Sequence, residues 1–423
     1  MLPETPTDDA EPERRLPRGA RPIGLGLILL CLGATLIVGA VSKVPCSSGV
    51  WTGQQYRQLC YTDIVPLLAT EQLSGGRLPF FQPCVETAAN CDEYPVLTMY
   101  LMRMAAWVSD TDYPTYFGAN VALLWLAAIV TTISLYAVVG NRALYFALAP
   151  TLLVYGVMNW DLLAVALATA AIAAFFGRRD VLAGVLLGLG ASAKFYPAML
   201  VVPLIAQRLQ DREPDRAIRL GWAAAGSYLA LNLPFFIASP SSWLTFFRFN
   251  SERCADFDSL WSIAWRHRGF GSCPPIPQVN LLSAAAFVLV FGLVWFAKSR
   301  LRPGFPRWTL VFPLIVVFLL TNKVYSPQYG LWLLPLFALA LPNLWAFIAF
   351  SVMDVAVFVT RFTWFGHFPS ETYQWRFERA VIARTVVLLA CLVIWVLRRP
   401  DPVTAIAPFA PVPIEPEPEP EPA

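Results

Sequence analysis

Long hydrophobic runs separated by short polar joints extend along the chain from residue 23 to residue 397. The first run, residues 23–42, carries no charged residue and is long enough to cross ~30 Å of hydrocarbon. Arginines precede it and no clear cleavage site of small residues follows, so we expect a retained helix and not a removed signal peptide. The pattern therefore predicts an all-α polytopic membrane protein.

The alternation predicts about twelve membrane-spanning helices. They are expected at residues 23–42, 117–139, 143–158, 160–177, 181–192, 195–207, 218–238, 281–298, 309–321, 329–341, 343–361 and 379–397. The apolar segment 94–109 contains Arg103, and counting it as a span would reverse every later loop. We expect it to lie flat on the outer surface.

The segment 181–207 is divided into two short helices at residues 193–197, because one continuous helix would place the arginine-rich joint 208–219 outside. At ~1.5 Å per residue, neither half spans the hydrocarbon fully. Lys194 then lies in a helix break, which the bilayer tolerates only where protein buries it or it lines a water-filled cavity.

Charge distribution sets the expected orientation. The chain is 57% hydrophobic and only 14% charged, as expected for a membrane protein. Arginines and lysines collect in the joints after residues 177, 207, 297 and 397, and all of these joints are cytoplasmic if the N-terminus is cytoplasmic. The loops 43–116 and 239–280 are then extracytoplasmic.

The cysteines follow the same division. Six of the eight lie in the two outer loops, where the environment is oxidising, and each loop holds an even number. We expect Cys254 to pair with Cys273 and Cys84 with Cys91, which leaves Cys46 with Cys60. Four cysteines allow three pairings, and free thiols are the alternative.

The chain ends are expected to be disordered cytoplasmic tails, residues 1–22 and 398–423, because they are rich in proline and charge. The chain has no phosphate-binding glycine loop with lysine and no zinc-protease motif. No cofactor and no nucleic acid partner are predicted, no metal site is assigned, and the metal requirement stays open.

Polar residues gather at the predicted outer ends of the spans. Charged groups at bilayer depth are costly, which makes them functional candidates. The candidates are Asp63, Glu93, Asp161, Lys194, Lys323, Tyr325, Gln328, Arg361 and His367. Acids and bases on one side of the membrane suit a reaction in which a base activates a hydroxyl while cations receive a phosphate.

Several short strings carry a resemblance to a known family. They are Cys-Tyr-Thr-Asp-Ile from Cys60, Leu-Pro-Phe-Phe from Leu78, Glu-Tyr-Pro-Val-Leu-Thr from Glu93, Asn-Trp-Asp at 159–161 and Ala-Lys-Phe-Tyr-Pro at 193–197. In these the chain resembles actinobacterial membrane proteins of glycosyltransferase family 87, which include polyprenol-phosphate-mannose-dependent mannosyltransferases of the GT-C fold.

The resemblance implies a polyprenyl-phosphate sugar donor, decaprenyl-phosphate mannose in the first place, and a lipid or glycan acceptor at the outer leaflet. It also implies short surface helices in the first outer loop, with Asp63 as the general base. The family often places a second charged residue beside this acid, whereas Thr62 and Ile64 flank it here.

The leaving group of such a transfer is a phosphate, and its charge is the larger electrostatic demand. Lys194, Lys323, Arg361 and His367 are the candidates to bind it. Glu93, Asp161, Tyr325 and Gln328 are further candidates for the site.

Each candidate has a simpler alternative. Asp63 could cap the following helix, as aspartate often does, Asp161 could cap its own span, and Glu93 could belong to a loop ion pair. Lys323 and Arg361 could extend to lipid headgroups. For the whole protein, a secondary transporter, a non-catalytic envelope scaffold and an arabinofuranosyltransferase of the same fold are the alternatives.

Overall fold

All regular structure in the described residues is helical. The computed structural model describes residues 23–85, 91–267 and 273–399. The tails expected to be disordered lie outside them, apart from residues 398 and 399. In chain order the helices are α1 (Leu25–Val41), α2 (Gln54–Arg57), α3 (Ile64–Thr70), α4 (Val96–Ser109), α5 (Tyr113–Val139), α6 (Leu144–Ala147), α7 (Pro150–Tyr155), α8 (Asp161–Phe176), α9 (Asp180–Ala191), α10 (Tyr196–Gln210), α11 (Pro214–Ala238), α12 (Pro240–Trp243), α13 (Thr245–Glu252), α14 (Leu260–Arg266), α15 (Ile276–Leu301), α16 (Val311–Thr321), α17 (Leu333–Ala340), α18 (Leu344–Gly366) and α19 (Glu371–Leu397). Short 3-10 turns occupy Val44–Cys46, Gly140–Ala143, Arg307–Leu310 and Pro327–Trp332.

Six of the described helices are long and apolar enough to cross a membrane: α1, α5, α11, α15, α18 and α19. Their outward faces carry large exposed hydrophobic side chains, among them Leu30, Trp222 and Val288, which would be costly in water. The protein is therefore a multi-pass, all-α membrane protein, as predicted from the sequence.

The predicted count of twelve spans is not confirmed, because some predicted spans are not continuous helices. Residues 143–158 form two short helices, α6 and α7, separated where Pro150 opens α7. Proline has no amide hydrogen and fits only the first turn of a helix. Residues 329–341 likewise begin in a 3-10 turn, and α17 has only eight residues. The expectation of one continuous helix for each of these segments was wrong, and the number of spans stays a prediction.

The predicted helix break at Lys194 is present. Helix α9 ends at Ala191 and α10 begins at Tyr196. At the break, two backbone carbonyls accept hydrogen bonds from the start of α4. Leu97 N donates to the Ser192 carbonyl at 2.9 Å, and the Thr98 hydroxyl donates to the Ala193 carbonyl at 2.7 Å. This contact brings residues 93–95 next to Lys194.

Helices α9 and α11 pack closely over the length of α9. A Cβ atom at Gly184 or Gly188 would overlap the backbone of α11, so only glycine permits this approach. The pair forms one wall beside the helix break.

Three disulfides lie within the two long loops, two in the first and one in the second. Cys46 pairs with Cys60, Cys84 with Cys91 and Cys254 with Cys273, with Cα–Cα distances of 5.6, 6.3 and 5.5 Å. The prediction that these loops contain disulfides is confirmed. The first loop carries the short helices α2 and α3, and the second carries α12, α13 and α14.

Candidate active site

A cavity of about 350 Å³ lies where the two long loops meet the helix break and α18. The polar and charged side chains in its wall include Asp63, Glu93, Asn159, Lys194, Asn250, Arg253, Asp256, Ser326, Gln328 and Arg361. The structure thus brings together residues separated by nearly 300 positions in the chain.

Asp63 precedes α3 but its side chain does not cap that helix. The amide of Ile64 is bonded instead by the Thr62 hydroxyl at 3.2 Å. The Asp63 carboxylate accepts the Tyr61 hydroxyl on Oδ1 at 2.7 Å and the Asn159 amide on Oδ2 at 2.8 Å. The cap alternative is therefore not the observed arrangement, and the carboxylate lies in the cavity wall.

Burial raises the pKa of Asp63 above its usual value, although the hydrogen bonds from Asn159 and Tyr61 act in the opposite direction. A carboxylate with a raised pKa is a stronger base in its ionised form. Among the described residues no further group bonds this carboxylate, so each oxygen keeps a lone pair for another donor.

Asn159 has a fixed orientation. Its Oδ1 accepts the backbone N–H of Trp160 at 2.7 Å, so its Nδ2 must be the atom that contacts Asp63. Sequence analysis placed Asn159 in a motif but gave it no role. Its proximity to Asp63, 96 positions away, has no signal in one sequence.

Lys194 projects from the helix break to the cavity and pairs with Asp161, Nζ to Oδ2 at 3.3 Å. Asp161 is fully buried behind it, and its Oδ1 accepts the Trp332 indole N–H at 2.7 Å. Asp161 is not among the cavity-lining residues, so it serves Lys194 as a counter-ion. The Lys194 ammonium also lies 5.5 Å from the Tyr94 ring centroid and 5.3 Å from that of Tyr329.

Arg361, on α18, reaches the same cavity but is held by two carboxylates. Its Nη2 lies 3.3 Å from Asp256 Oδ1, and its Nη1 bonds Asp258. Arg384 in turn contacts Asp258 at 3.7 Å and Asp354 at 3.0 Å. Arg361 is thus fixed in place by loop and helix partners, and much of its charge is balanced.

Arg253 is a cavity cation that sequence analysis missed. It follows α13, and its guanidinium lies 5.1 Å over the Phe249 ring. Within the described part of the chain it forms no ion pair and no side-chain hydrogen bond. An arginine in an outer loop is ordinarily solvated, so the sequence carried no signal for it.

Besides Asp161, three predicted residues do not line the cavity. The Lys323 ammonium donates to the backbone carbonyls of Ser251 at 3.0 Å and Arg253 at 2.9 Å, so it supports the loop that carries Arg253. Tyr325 is buried with its ring 3.8 Å from the Arg384 guanidinium. His367 is exposed, with Nδ1 at 2.8 Å from the Thr363 carbonyl.

Glu93 and Gln328 do line the cavity, as candidates for the site should. Burial raises the pKa of Glu93 to about 7. Behind it, the buried Glu71 accepts the backbone N–H of Asp92 at 2.6 Å and fixes the chain that carries Glu93. Glu71 was not a sequence candidate.

Aromatic rings form the wall beside Asp63. Tyr61 stacks on Phe362 with centroids 4.9 Å apart, and Tyr56 lies 5.6 Å from Phe365, edge to face. All four line the cavity. These four rings form an aromatic wall beside Asp63, and the side chains of Lys194, Arg253 and Arg361 are here called the cationic wall.

The comparison with models of protein families identifies a family of glycosyltransferases. The model of glycosyltransferase family 87 matches residues 93–327, which include Glu93, Asn159, Lys194 and Arg253 but not Asp63 or Arg361.

Among solved structures, ArnT from Cupriavidus metallidurans bound to undecaprenyl phosphate is similar at 15% identity and a TM-score of 0.45, over 89% of this chain and 77% of that one. The same protein in the apo state gives 14% identity and a TM-score of 0.44, over 88% and 76%. No curated protein matches. Since the family model covers more than half of the chain, this protein belongs to glycosyltransferase family 87.

Proposed function

We propose that the protein transfers a hexosyl residue from a polyprenyl-phosphate sugar to a hydroxyl of a cell-envelope glycolipid or glycan, on the extracytoplasmic side, with inversion. The resemblance of its loop motifs favours mannose as the sugar. One observation carries the proposal: the Asp63 carboxylate, which caps no helix, shares a cavity with Lys194, Arg253 and Arg361.

In the proposed step the acceptor oxygen attacks the anomeric carbon as the bond from that carbon to the phosphate oxygen breaks. Asp63 takes the proton of the acceptor hydroxyl, and the bonding electrons leave with the lipid phosphate. The raised pKa of Asp63 suits this proton transfer. A single displacement inverts the anomeric configuration and needs no covalent intermediate with the enzyme.

The cationic wall would stabilise the departing phosphate. Among the described residues Arg253 forms no direct ion pair; it acts on the nearby carboxylates of Glu93 and Asp256 only at longer range, so its donors are available to an anion. The charge of Lys194 is partly balanced by Asp161. The charge of Arg361 is partly balanced by Asp256 and Asp258. One guanidinium group can donate two parallel hydrogen bonds to two oxygens of a phosphate. This geometry favours Arg253 as the principal contact of the phosphate.

An apolar groove supports a lipid-linked donor. It has a volume of about 290 Å³ and lies between α9, α10 and α11, where small side chains such as Gly188, Ala198 and Ala225 leave room. Phe195 and Val202 beside it are more than half exposed, as expected for a face open to lipid. A polyprenyl chain is an apolar hydrocarbon and matches the apolar lining of this groove.

A small pocket of about 10 Å³, here called the passage, lies between the groove and the cavity and shares lining residues with both. Ala191, Phe195 and Tyr228 line both groove and passage, and Tyr94 and Phe246 line both passage and cavity. A chain in the groove would therefore end at the cationic wall once the aromatic side chains of the passage rotate.

The disulfides support an extracytoplasmic site. The loops that carry Cys46–Cys60 and Cys254–Cys273 also supply Asp63 and Arg253 to the cavity. Disulfides persist in oxidising compartments. The joints after α8 and after α10 meet in an arginine-rich ion-pair cluster, in which Arg208 and Arg216 both contact Asp180. Clusters of arginine favour the cytoplasmic side, which supports the opposite side for the cavity.

The direct test is transfer by purified protein, or by membranes that contain it, from radiolabelled polyprenyl-phosphate mannose. Label should enter a glycolipid or glycan of the envelope fraction, and an Asp63→Asn preparation should give none above background. Parallel incubation with polyprenyl-phosphate arabinofuranose tests the alternative sugar. Transfer from that donor alone would overturn the hexosyl assignment and keep the lipid-linked glycosyltransferase.

A further inference from the structure

The hydroxyl of Tyr94 has an unusual set of hydrogen-bond partners. It lies 2.8 Å from Asn159 Nδ2, and Tyr94 lines the cavity. The backbone N–H of Trp160 can only donate a hydrogen bond, so the Asn159 atom that it contacts must be the amide oxygen. The nitrogen of Asn159 therefore faces Tyr94, and Tyr94 must be the acceptor in this bond.

This assignment leaves the hydroxyl hydrogen of Tyr94 without a protein acceptor. Asn159 uses one N–H on Asp63 and the other on Tyr94, so the amide cannot accept in return. No other acceptor for the Tyr94 hydroxyl occurs among the residues that the structure describes. A polar hydrogen beside a cavity is then available to a ligand.

The position of Tyr94 indicates which part of a ligand it would meet. Its ring lies 5.5 Å from the Lys194 ammonium, on the cationic wall, and it also lines the passage to the apolar groove. A lipid-linked phosphate that enters from the groove reaches the cationic wall at this point. Anionic oxygens accept stronger hydrogen bonds than neutral ones.

We infer that the Tyr94 hydroxyl donates a hydrogen bond to a phosphate oxygen of the polyprenyl-phosphate ligand, beside Lys194. The inference rests on the proposed function and assigns to that site a contact residue for the phosphate. Asn159 then has two tasks through its single amide nitrogen: it orients the base, Asp63, and it directs the Tyr94 hydrogen to the leaving group.

The ionisation state of Tyr94 agrees with a donor role. Burial and the nearby Asp63 carboxylate raise the pKa of Tyr94 well above its usual value, so the hydroxyl keeps its hydrogen. The ring is fixed edge-on against Trp160 at 5.5 Å between centroids.

Tyr94→Phe tests the inference because it removes one oxygen and keeps the ring contacts with Trp160 and Lys194. Binding of decaprenyl phosphate to the purified full chain should weaken roughly 10- to 100-fold, the usual cost of a hydrogen bond to a charged group. Binding of decaprenol, which has the same chain and no phosphate, should not change. Tyr100→Phe is the matched control, since the Tyr100 hydroxyl bonds the Pro79 carbonyl at 3.1 Å and does not line the cavity.

A second readout separates phosphate contact from an indirect effect on the base. The acidic limb of the pH profile of kcat/KM should keep its midpoint in Tyr94→Phe while the rate falls. Unchanged decaprenyl phosphate binding, or an equal loss for decaprenol, would overturn the inference. The binding assay needs no transfer, so a protein without transferase activity would refute the proposed function and still leave the Tyr94 contact measurable.

Discussion

Asn159 donates a 2.8 Å hydrogen bond to Oδ2 of Asp63 across 96 positions of sequence. The bond stabilises the ionised carboxylate and so lowers its pKa, against the larger effect of burial. The basicity and the orientation of the Asp63 carboxylate thus depend on Asn159, which precedes α8 by two positions.

Asn159→Ala should therefore raise the pKa of Asp63 and lower transfer at neutral pH roughly 10- to 100-fold, the cost of a bond to a charged group. A base must be ionised to act, so the acidic limb of the pH profile should move to higher pH and part of the rate should return there. The measurement is kcat/KM between pH 5 and 9. An unshifted limb would show that Asn159 does not act on the base.

Lys194 should be tested together with its counter-ion. Lys194→Met alone leaves Asp161 buried and unpaired, and breaking a buried pair costs ~3–5 kcal/mol. We expect a low membrane level for this variant. The double variant Lys194→Met, Asp161→Asn should recover its level, yet use the lipid donor poorly. Normal donor kinetics in the double variant would remove Lys194 from the phosphate site.

Glu71 gives a stability prediction with a defined sign. Burial raises its pKa from 4.5 to about 8, so the folded protein binds more protons than the unfolded chain and loses stability as the pH rises through this window. Glu71→Gln should raise the melting temperature in detergent by a few degrees at pH 8 and have little effect at pH 5. The exposed Glu252→Gln is the control. Equal shifts at both pH values would contradict the assignment.

Sidedness is open to direct measurement. Both termini are expected in the cytoplasm and the loop around residue 250 outside, because arginine-rich joints and disulfide-bearing loops alternate. A reporter that is active only outside the cytoplasm should be active when fused at residue 250, and a reporter that is active only in the cytoplasm should be inactive there. Cytoplasmic activity of such a fusion, together with free thiols at Cys254 and Cys273 in intact cells, would reverse the proposed side of the site.

Much of the architecture was predictable from local pattern. The apolar runs predicted a membrane protein. The requirement that arginine-rich joints lie on one side of the membrane predicted the helix break at Lys194, which the structure places between α9 and α10. The number of spans was not predictable from hydropathy alone. Pro150 interrupts one predicted span, and a 3-10 turn occupies the start of another.

The site was harder to predict because a sequence does not give side-chain direction. Lys323 and Lys194 look alike as cations next to apolar runs, yet Lys323 bonds loop carbonyls while Lys194 enters the cavity. Asp161 lies behind Lys194 and not in front of it. Arg253 belongs to a loop whose fold depends on Lys323 and the Cys254–Cys273 disulfide, so its position follows only from tertiary contacts.

The most direct test of the account is transfer by Asp63→Asn. The substitution keeps the size of the side chain and one acceptor oxygen, and removes the basic carboxylate, so the rate should fall ~10²-fold or more. Asp112→Asn is the matched control: Asp112 does cap α5, accepting Thr115 N at 2.9 Å, and asparagine caps a helix equally well. The account predicts near-normal transfer for Asp112→Asn and almost none for Asp63→Asn at equal membrane levels. Near wild-type transfer by Asp63→Asn would contradict the claim that this carboxylate is the catalytic base.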